Sequence, residues 1–320
     1  MSKKALSAKE QQEKVQYRVK NWSEYDAALV KRGNVTVWFA EDEVRTKWKP
    51  AATGKRGGVM QYSDMAIQTL LVLKSVFKLT YRSLEGFGRS LMSLMGLNLR
   101  IPDHSHLSRR AKTLNVVIPC RVHDEPLHVV IDSTGLKVYG EGEWKVRQHG
   151  ASKRRTWIKV HLAVDTKIVD IIGVEVTTPA WADCEVFEGL LNQIEGTIEQ
   201  IDVDGAYDTH SVYEAASQRG ARLIVPPREN AVPWEDDHPR TKVLTAIAEQ
   251  GMKEWKNSTG YHQRSLAENA MYRLKQLFGD RLASRLFETQ VTEVHVRIAA
   301  MNIMTALGMP ISARVGTAAP

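Results

Sequence analysis

Cysteine is nearly absent from this chain: Cys120 and Cys184 are the only two in 320 residues, and they stand far apart. No CxxC pair and no clustered Cys/His zinc signature can be drawn, a disulfide framework is not expected, and a reducing cytoplasm fits. Long apolar runs are missing too. A membrane span needs about 20 continuous apolar residues. The strongest run here, Ile67–Phe77, is interrupted by Lys74 and reads as a buried helix. The opening MSKKALSAKEQQEK has no apolar stretch, so no secretory signal is expected in it. Neither an internal repeat nor a low-complexity domain occurs, which sets repeat architectures aside.

Acid is the minority charge. Lys and Arg number 44 against 37 Asp and Glu, a net charge of +7. Residues 1–60 supply +6 of it, with 13 basic against 7 acidic side chains. Such a balance favours a polyanionic partner, reached by an arm that is either simply solvated or in contact with phosphates. A hydrophobic content of 43% and a charged content of 25% describe an ordinary globular chain. At this length more than one domain is the natural expectation.

Four segments are expected: a flexible basic arm and linker over 1–60, a helical DNA-binding region over 61–120, an α/β domain over 121–310 and a flexible tail over 311–320. In the first, Val35–Phe39 looks strand-like and Lys49–Val59 reads as a linker. Helical periodicity starts at Ser63 or Asp64, with Ile67, Leu70, Leu71, Leu73 and Phe77 as packing positions. Thr80 opens a second helix, and Pro102-Asp103-His104-Ser105 is the start signal of a short third one, Leu107–Leu114, that carries Arg109, Arg110 and Lys112. Two helices, a break and a basic helix suggest a helix-turn-helix-like unit; the plainer alternative is a bundle packed beside the next domain.

From Leu127 the pattern changes. Strands are expected at Leu127–Ile131, Thr156–Val164, Ile168–Val176, Gln200–Val203 and Arg222–Val225, and helices at Asp183–Ile194 and Ser211–Ser217. Pro233–Arg240 reads as a loop. Tyr261–Phe278 is a strong helix, with Leu266, Ala270, Leu274 and Leu277 in phase, and Val291–Leu307 is the last one. This order describes a mixed α/β sheet flanked by helices.

Three carboxylates carry the chemistry. Asp132 follows the run His128–Ile131, and Asp204 follows Ile201–Val203. Both are expected at C-terminal strand ends, with Gly135 and Gly205 turning the chain away, so that neighbouring strands would aim them into one crevice. Glu268 lies on the strong helix, which holds a side chain better than a loop does. A phosphodiester is anionic and resists an anionic nucleophile, whereas two divalent ions can clamp attacking and leaving oxygens. Mg²⁺ prefers oxygen ligands and keeps waters, so a few carboxylates suffice to hold it. Asp165, Asp183, Asp202 and Asp208 compete, since strand-end Asp residues also cap helices and form turns. Asp202 is assigned to the sheet face opposite Asp204, an assignment that one residue of slippage reverses.

Basic residues surround these acids. Lys145, Arg147, His149, Lys153, Arg154, Arg155 and Lys159 follow the first, interleaved with Trp144 and Trp157. They suit phosphate contact and base stacking; the alternative is a solvated face with both tryptophans in the core. His161 is a further candidate phosphate contact. Arg264 and Lys275 bracket Glu268 four residues before and seven after, which keeps all three on one broad helix face.

Tyr261, Arg264, Glu268 and Lys275 stand in the pattern Tyr-x2-Arg-x3-Glu-x6-Lys, which resembles the YREK signature of DDE-type bacterial insertion-sequence transposases. Asp132 in IDSTG and Asp204 in DGAYD match the family's two aspartates, and GEWKVRQHGASKRRTWIKVHLAV resembles the stretch after the first. The likeness covers about residues 60–307. It implies an RNase H-like catalytic fold, with Asp132, Asp204 and Glu268 holding two Mg²⁺ or Mn²⁺. It implies double-stranded DNA as partner, both terminal inverted repeats and target DNA. The enzyme would cleave at the element ends and join the 3′-OH to the target. Tyr261 and Arg264 would position DNA and Lys275 would hold a phosphate. A homodimer or higher oligomer follows from handling two ends together, and a place at the bacterial nucleoid in the cytoplasm follows from the substrate. A nuclease that does not join strands, and a DNA-binding protein whose acids are turn residues, are the alternatives.

Overall fold

The computed structural model describes residues 16–39, 41–51, 61–138, 157–228 and 230–315. It opens with β1 (Gln16–Val19), α1 (Trp22–Arg32), α2 (Val35–Trp38) and α3 (Glu41–Lys47). The strand expected at Val35–Phe39 is thus a helical turn. Asn34 caps it, its Oδ1 accepting the Thr36 N–H at 3.0 Å, and a side-chain cap satisfies an amide that a strand would pair elsewhere. The expectation of a loose arm is corrected over these helices as well. Ala28, Trp38, Phe39, Val44 and Trp48 are buried, and Trp48 Nε1 donates to Arg100 O at 2.9 Å.

Next come α4 (Asp64–Val76), α5 (Tyr81–Leu94) and α6 (His104–Arg110). Their caps fall within the start signals of the sequence, although α6 begins three residues before the expected Leu107 and ends at Arg110 rather than Leu114, because Asp103 caps it directly. Ser63 Oγ accepts from Ala66 N at 3.1 Å, Thr80 Oγ1 from Ser83 N at 3.2 Å, and Asp103 Oδ1 from His106 N at 2.8 Å. Helix α4 buries Ala66, Ile67 and Leu70–Leu73, so it lies inside a core rather than on one. That core also takes Val296, Ala300 and Met304 from near the C-terminal end of the chain. The helical region is therefore packed as a bundle that shares its interior with the rest of the protein.

A five-stranded sheet follows: β2 (Leu127–Lys137), β3 (Trp157–Asp165), β4 (Ile171–Thr177), β5 (Ile198–Asp202) and β6 (Arg222–Ile224), in the order β4-β3-β2-β5-β6. The β2–β3 and β3–β4 pairs are antiparallel, and β2–β5 and β5–β6 are parallel. This is the RNase H-like arrangement implied by the resemblance. Alternation along the strands gives two apolar faces. Val129, Ile131, Ile201 and Val203 meet α7 (Asp183–Asn192) and α8 (His210–Gln218). Beyond β6 run α9 (Pro239–Thr259), α10 (Ser265–Phe278) and α11 (Phe287–Leu307). Val130, Leu136, Leu162 and Val164 face Ala267, Ala270 and Leu274 of α10 and Val294, Ile298 and Met301 of α11. Asn302 on α11 bonds both Ile171 N, at 3.0 Å, and Ile171 O, at 2.9 Å, which locks that helix to β4.

Helix α9 has no counterpart in the sequence reading. It kinks at Gly251 (φ 82°) and buries only Arg240 and Trp255, so it carries too little apolar periodicity to be read. The tail expected to be flexible instead contributes β7 (Ser312–Val315), antiparallel to β1. Asn21 secures this pairing, with Nδ2 donating to Met309 O at 3.0 Å and Oδ1 accepting from Ile311 N at 2.7 Å. Gly308 (φ 148°) makes the approach possible, because a Cβ there would stand 2.9 Å from that of Ala28. Among the described residues no helix is long and apolar enough to cross a membrane.

His161 lies on β3 with 0% exposure, its Nε2 2.9 Å from Thr177 Oγ1 and its Nδ1 3.3 Å from Asp183 Oδ1. The expected phosphate contact is thereby corrected, because the ring is inside. Burial pushes its pKa down from 6.5 to about 4. The unfolded chain takes up a proton that the folded ring refuses, so stability falls as pH drops from 6.5 to about 4 and levels off below. His161→Gln is expected to flatten that part of the acid limb in urea unfolding measured across pH. An unchanged limb would assign it to other groups.

Candidate active site

Parallel pairing of β2 with β5 ends at Val130 and Asp202. Two positions further along each segment stand Asp132 and Asp204, near enough for the Asp204 charge to raise the Asp132 pKa. Asp132 is not at a strand end, as expected, but inside β2, which continues to Lys137 because β3 pairs with it the whole way. Nor does Gly135 turn the chain. It is a strand residue, and Trp157 lies over it, 3.1 Å from where a Cβ would be. Gly205 does begin a turn, the 3-10 segment Gly205–Tyr207, capped by Asp204 Oδ1 accepting from Ala206 N at 2.9 Å. A Cβ on Gly205 would meet Pro226 O at 3.2 Å.

The helix expected over Tyr261–Phe278 has two parts, a 3-10 turn Tyr261–Arg264 and then α10. Gly260 (φ 74°) ends α9 in the left-handed region and reverses the chain just before. Arg264 Nη1 donates to Asp132 Oδ2 at 2.9 Å, and its Nη2 donates to Glu268 Oε1. One guanidinium thus spans two of the three carboxylates. Eleven positions along from Arg264, Lys275 Nζ donates to Thr134 Oγ1 at 2.6 Å. The Arg264–Glu268–Lys275 stripe therefore lies along the Asp132–Thr134 face of β2.

Burial raises the Asp132 pKa; Ser133 N–H and Arg264 oppose this, while Asp204 and Glu268 push the same way. Arg264 is raised by Tyr261, Asp132 and Glu268 against its own desolvation. Tyr261 is 8% exposed, and burial with the nearby carboxylates pushes its phenol up to about 12. Its ring lies 5.9 Å beneath the Arg264 guanidinium, so it supports that side chain rather than opening toward a phosphate. Sequence reasoning missed two neighbours. Thr134 could have been found from its period-two relation to Asp132. Tyr207, with a buried hydroxyl that has no partner and a pKa raised by burial and by Asp183, Asp132 and Asp204, left no signal beyond its place after Asp204.

The four competing acids all have fixed partners. Asp165 takes His123 at 2.7 Å, Asp183 takes Lys159 at 2.9 Å, Asp202 takes His128 at 2.9 Å and Gln200 at 2.8 Å, and Asp208 takes Arg240 at 2.8 Å. Asp202 is the last residue of β5, whereas Asp204 lies beyond the strand as the cap of the turn that follows.

Among the basic candidates, Lys159 is committed to Asp183 and to Trp181 O. Arg110 is tied to Tyr62 O, at 3.2 Å, and to Asp64. Arg109 is exposed. Trp157 is partly exposed, with Lys137 Nζ 5.7 Å from its ring centre. Lys145, Arg147, Lys153, Arg154, Arg155, His149 and Trp144 lie outside the described residues.

An RNase H-like sheet with Asp132 and Glu268 on one guanidinium fits the class of enzymes that cut and join DNA with divalent metal. Family models described as "Transposase DDE domain" match residues 123–303 and residues 30–141. The first match spans more than half of the chain, and the chain belongs to the DDE transposase family. It is a metal-dependent enzyme that cuts and joins DNA. Among solved structures, it is similar to a piggyBac transposase synaptic complex with hairpin DNA, at 12% identity and a TM-score of 0.37, over 91% of this chain and 77% of that one. The Drosophila P element transposase strand transfer complex matches at 9% identity and a TM-score of 0.31, over 79% and 68%. A pre-cleavage Mos1 transpososome matches at 11% identity and 0.22, over 81% and 83%.

Proposed function

We propose that this enzyme is an insertion-sequence transposase of the YREK type, which binds terminal inverted repeats, cleaves at the element ends and joins the 3′-OH to target DNA. The observation that supports it best is the meeting of Asp132 and Glu268 on one guanidinium, with the Asp204 charge acting on Asp132, while every competing acid is already partnered. A cluster of carboxylates sharing a single cation is the donor set that hard divalent ions take. Asp132, Asp204 and Glu268 would hold two Mg²⁺ or Mn²⁺, which supply charge neutralisation, water activation and stabilisation of the leaving oxygen.

In this reading water adds to the phosphorus at the element end, and the bond to the 3′ oxygen breaks. The freed 3′-OH then attacks a target phosphodiester, whose own 3′ oxygen leaves. Arg264 keeps Asp132 and Glu268 aligned until DNA arrives, and Tyr261 holds its guanidinium from below. Lys275 contacts a backbone phosphate from the same stripe. Two element ends handled together call for a homodimer or a higher oligomer, and the substrate places the protein on the bacterial chromosome. A strand-transfer assay with pre-cleaved ends tests the reading: joined product is expected, and ends that stay unjoined would make the protein a nuclease.

Lys275→Ala is expected to weaken DNA binding and to reduce the slope of log affinity against log salt by about 1. Fluorescence anisotropy across a salt series measures this. An unchanged slope would leave Lys275 as a tie between α10 and Thr134 alone.

A further inference from the structure

We infer that His210, Glu235 and His238 form a second cation site, suited to a transition metal such as Zn²⁺ and separate from the carboxylates at the sheet edge. One nitrogen of each imidazole and one carboxylate oxygen all lie within 4.8 Å of one another. Zinc takes such donors at about 2.0–2.2 Å, so small side-chain rotations close the set. Glu235 and His238 are three apart in a turn held by His238 N donating to Glu235 O at 3.0 Å. His210, the first residue of α8, comes from a distant part of the chain. That separation hides the site from any reading of spacing.

The surroundings hold the donors in place before an ion arrives. The His210 ring stacks on Trp234 at 3.6 Å with 15° between planes. Trp234 N is fixed by Thr241 Oγ1 at 3.0 Å, and the Arg240 guanidinium covers the Trp234 ring at 4.3 Å. Arg240 is in turn neutralised by buried Asp208, so the nearest cation is already compensated. Two imidazoles and a carboxylate suit zinc-like ions, whereas Mg²⁺ prefers oxygen alone. A neutral imidazole carries one proton. His238 Nδ1 accepts the Arg240 N–H at 3.2 Å, so an ion on this ring replaces that cap, and the Arg240 amide reports its arrival.

An ion here would cross-link the start of α8, shortly after Asp204, to the entry of α9, whose far end leads to Tyr261 and Glu268. Its role is to steady the frame between the second aspartate and the glutamate.

The test uses the full chain carrying Asp132→Asn and Asp204→Asn, which removes the sheet-edge acids as competitors and makes the outcome independent of the proposed function. Isothermal titration with Zn²⁺ alone should show one ion per chain, retained in excess Mg²⁺, with the Arg240 amide resonance shifting. Adding His210→Ala or Glu235→Gln should weaken it more than about 100-fold, beyond the usual effect of losing an outer partner. Glu235→Gln keeps size at an exposed position, so it reads the site even where His210→Ala disturbs Trp234. Absence of binding, or binding as tight in both variants as in their parent, overturns the inference.

Discussion

Glu268→Gln is expected to lower end cleavage by at least about 10³-fold while leaving DNA affinity close to that of the parent. The side chain is 54% exposed and its partner is Arg264. Amidation keeps its size and removes only the charge, so neither packing nor the helix should change. What is lost is the anion that Arg264 holds and, in the proposed reading, a metal ligand. Asp132→Asn should do the same through the other end of that guanidinium, 2.9 Å away. Asp204→Asn should keep its cap to Ala206, since an amide oxygen accepts as a carboxylate does, and still lose cleavage. A gel shift run beside a cleavage assay separates the two effects. Equal loss of binding and cleavage in Glu268→Gln would make it a DNA anchor rather than a ligand.

The largest effect on stability is expected from Asp208→Ala. Arg240 Nε donates to both Asp208 oxygens, at 2.8 and 3.0 Å, and the two side chains are 6% and 0% exposed. Removing the carboxylate strands a buried guanidinium, which costs about 3–5 kcal/mol where such pairs have been broken. For a chain of this size that lowers Tm by roughly 5–7 °C. Asp208→Leu combined with Arg240→Met should recover most of the loss, because apolar side chains of similar volume need no partner. Thermal unfolding of the three proteins decides it. A single variant as stable as the parent would mean that Arg240 reaches water on its own.

Much of the fold was legible. The caps at Ser63, Thr80 and Asp103 were, because each is one side chain reaching an amide two or three residues on. So was the alternation of β2–β6 with α7 and α8, since burial on one face imposes a period that any window of the chain displays. Errors arose where the partner is remote. Val35–Phe39 has β-branched residues but is held as a helical turn by Asn34 and by burial of Trp38 and Phe39. Helix α9 was invisible because little of it is buried. Gly135 resembled a turn only because the partner that carries β2 past it, β3, was not in view.

The candidate site divides the same way. Residue types and spacing nominated Asp132, Asp204, Glu268, Arg264 and Lys275, because a helix face or a strand-end motif is a property of consecutive residues, and the family resemblance chose them over the competing acids. Tertiary structure decided which acids stand together and which are spent elsewhere, that Lys159 serves Asp183, that His161 is inside, and that residues 312–315 close a ribbon with 16–19. Those outcomes depend on contacts between segments far apart in the chain, where packing and charge compensation choose among partners that no local pattern names.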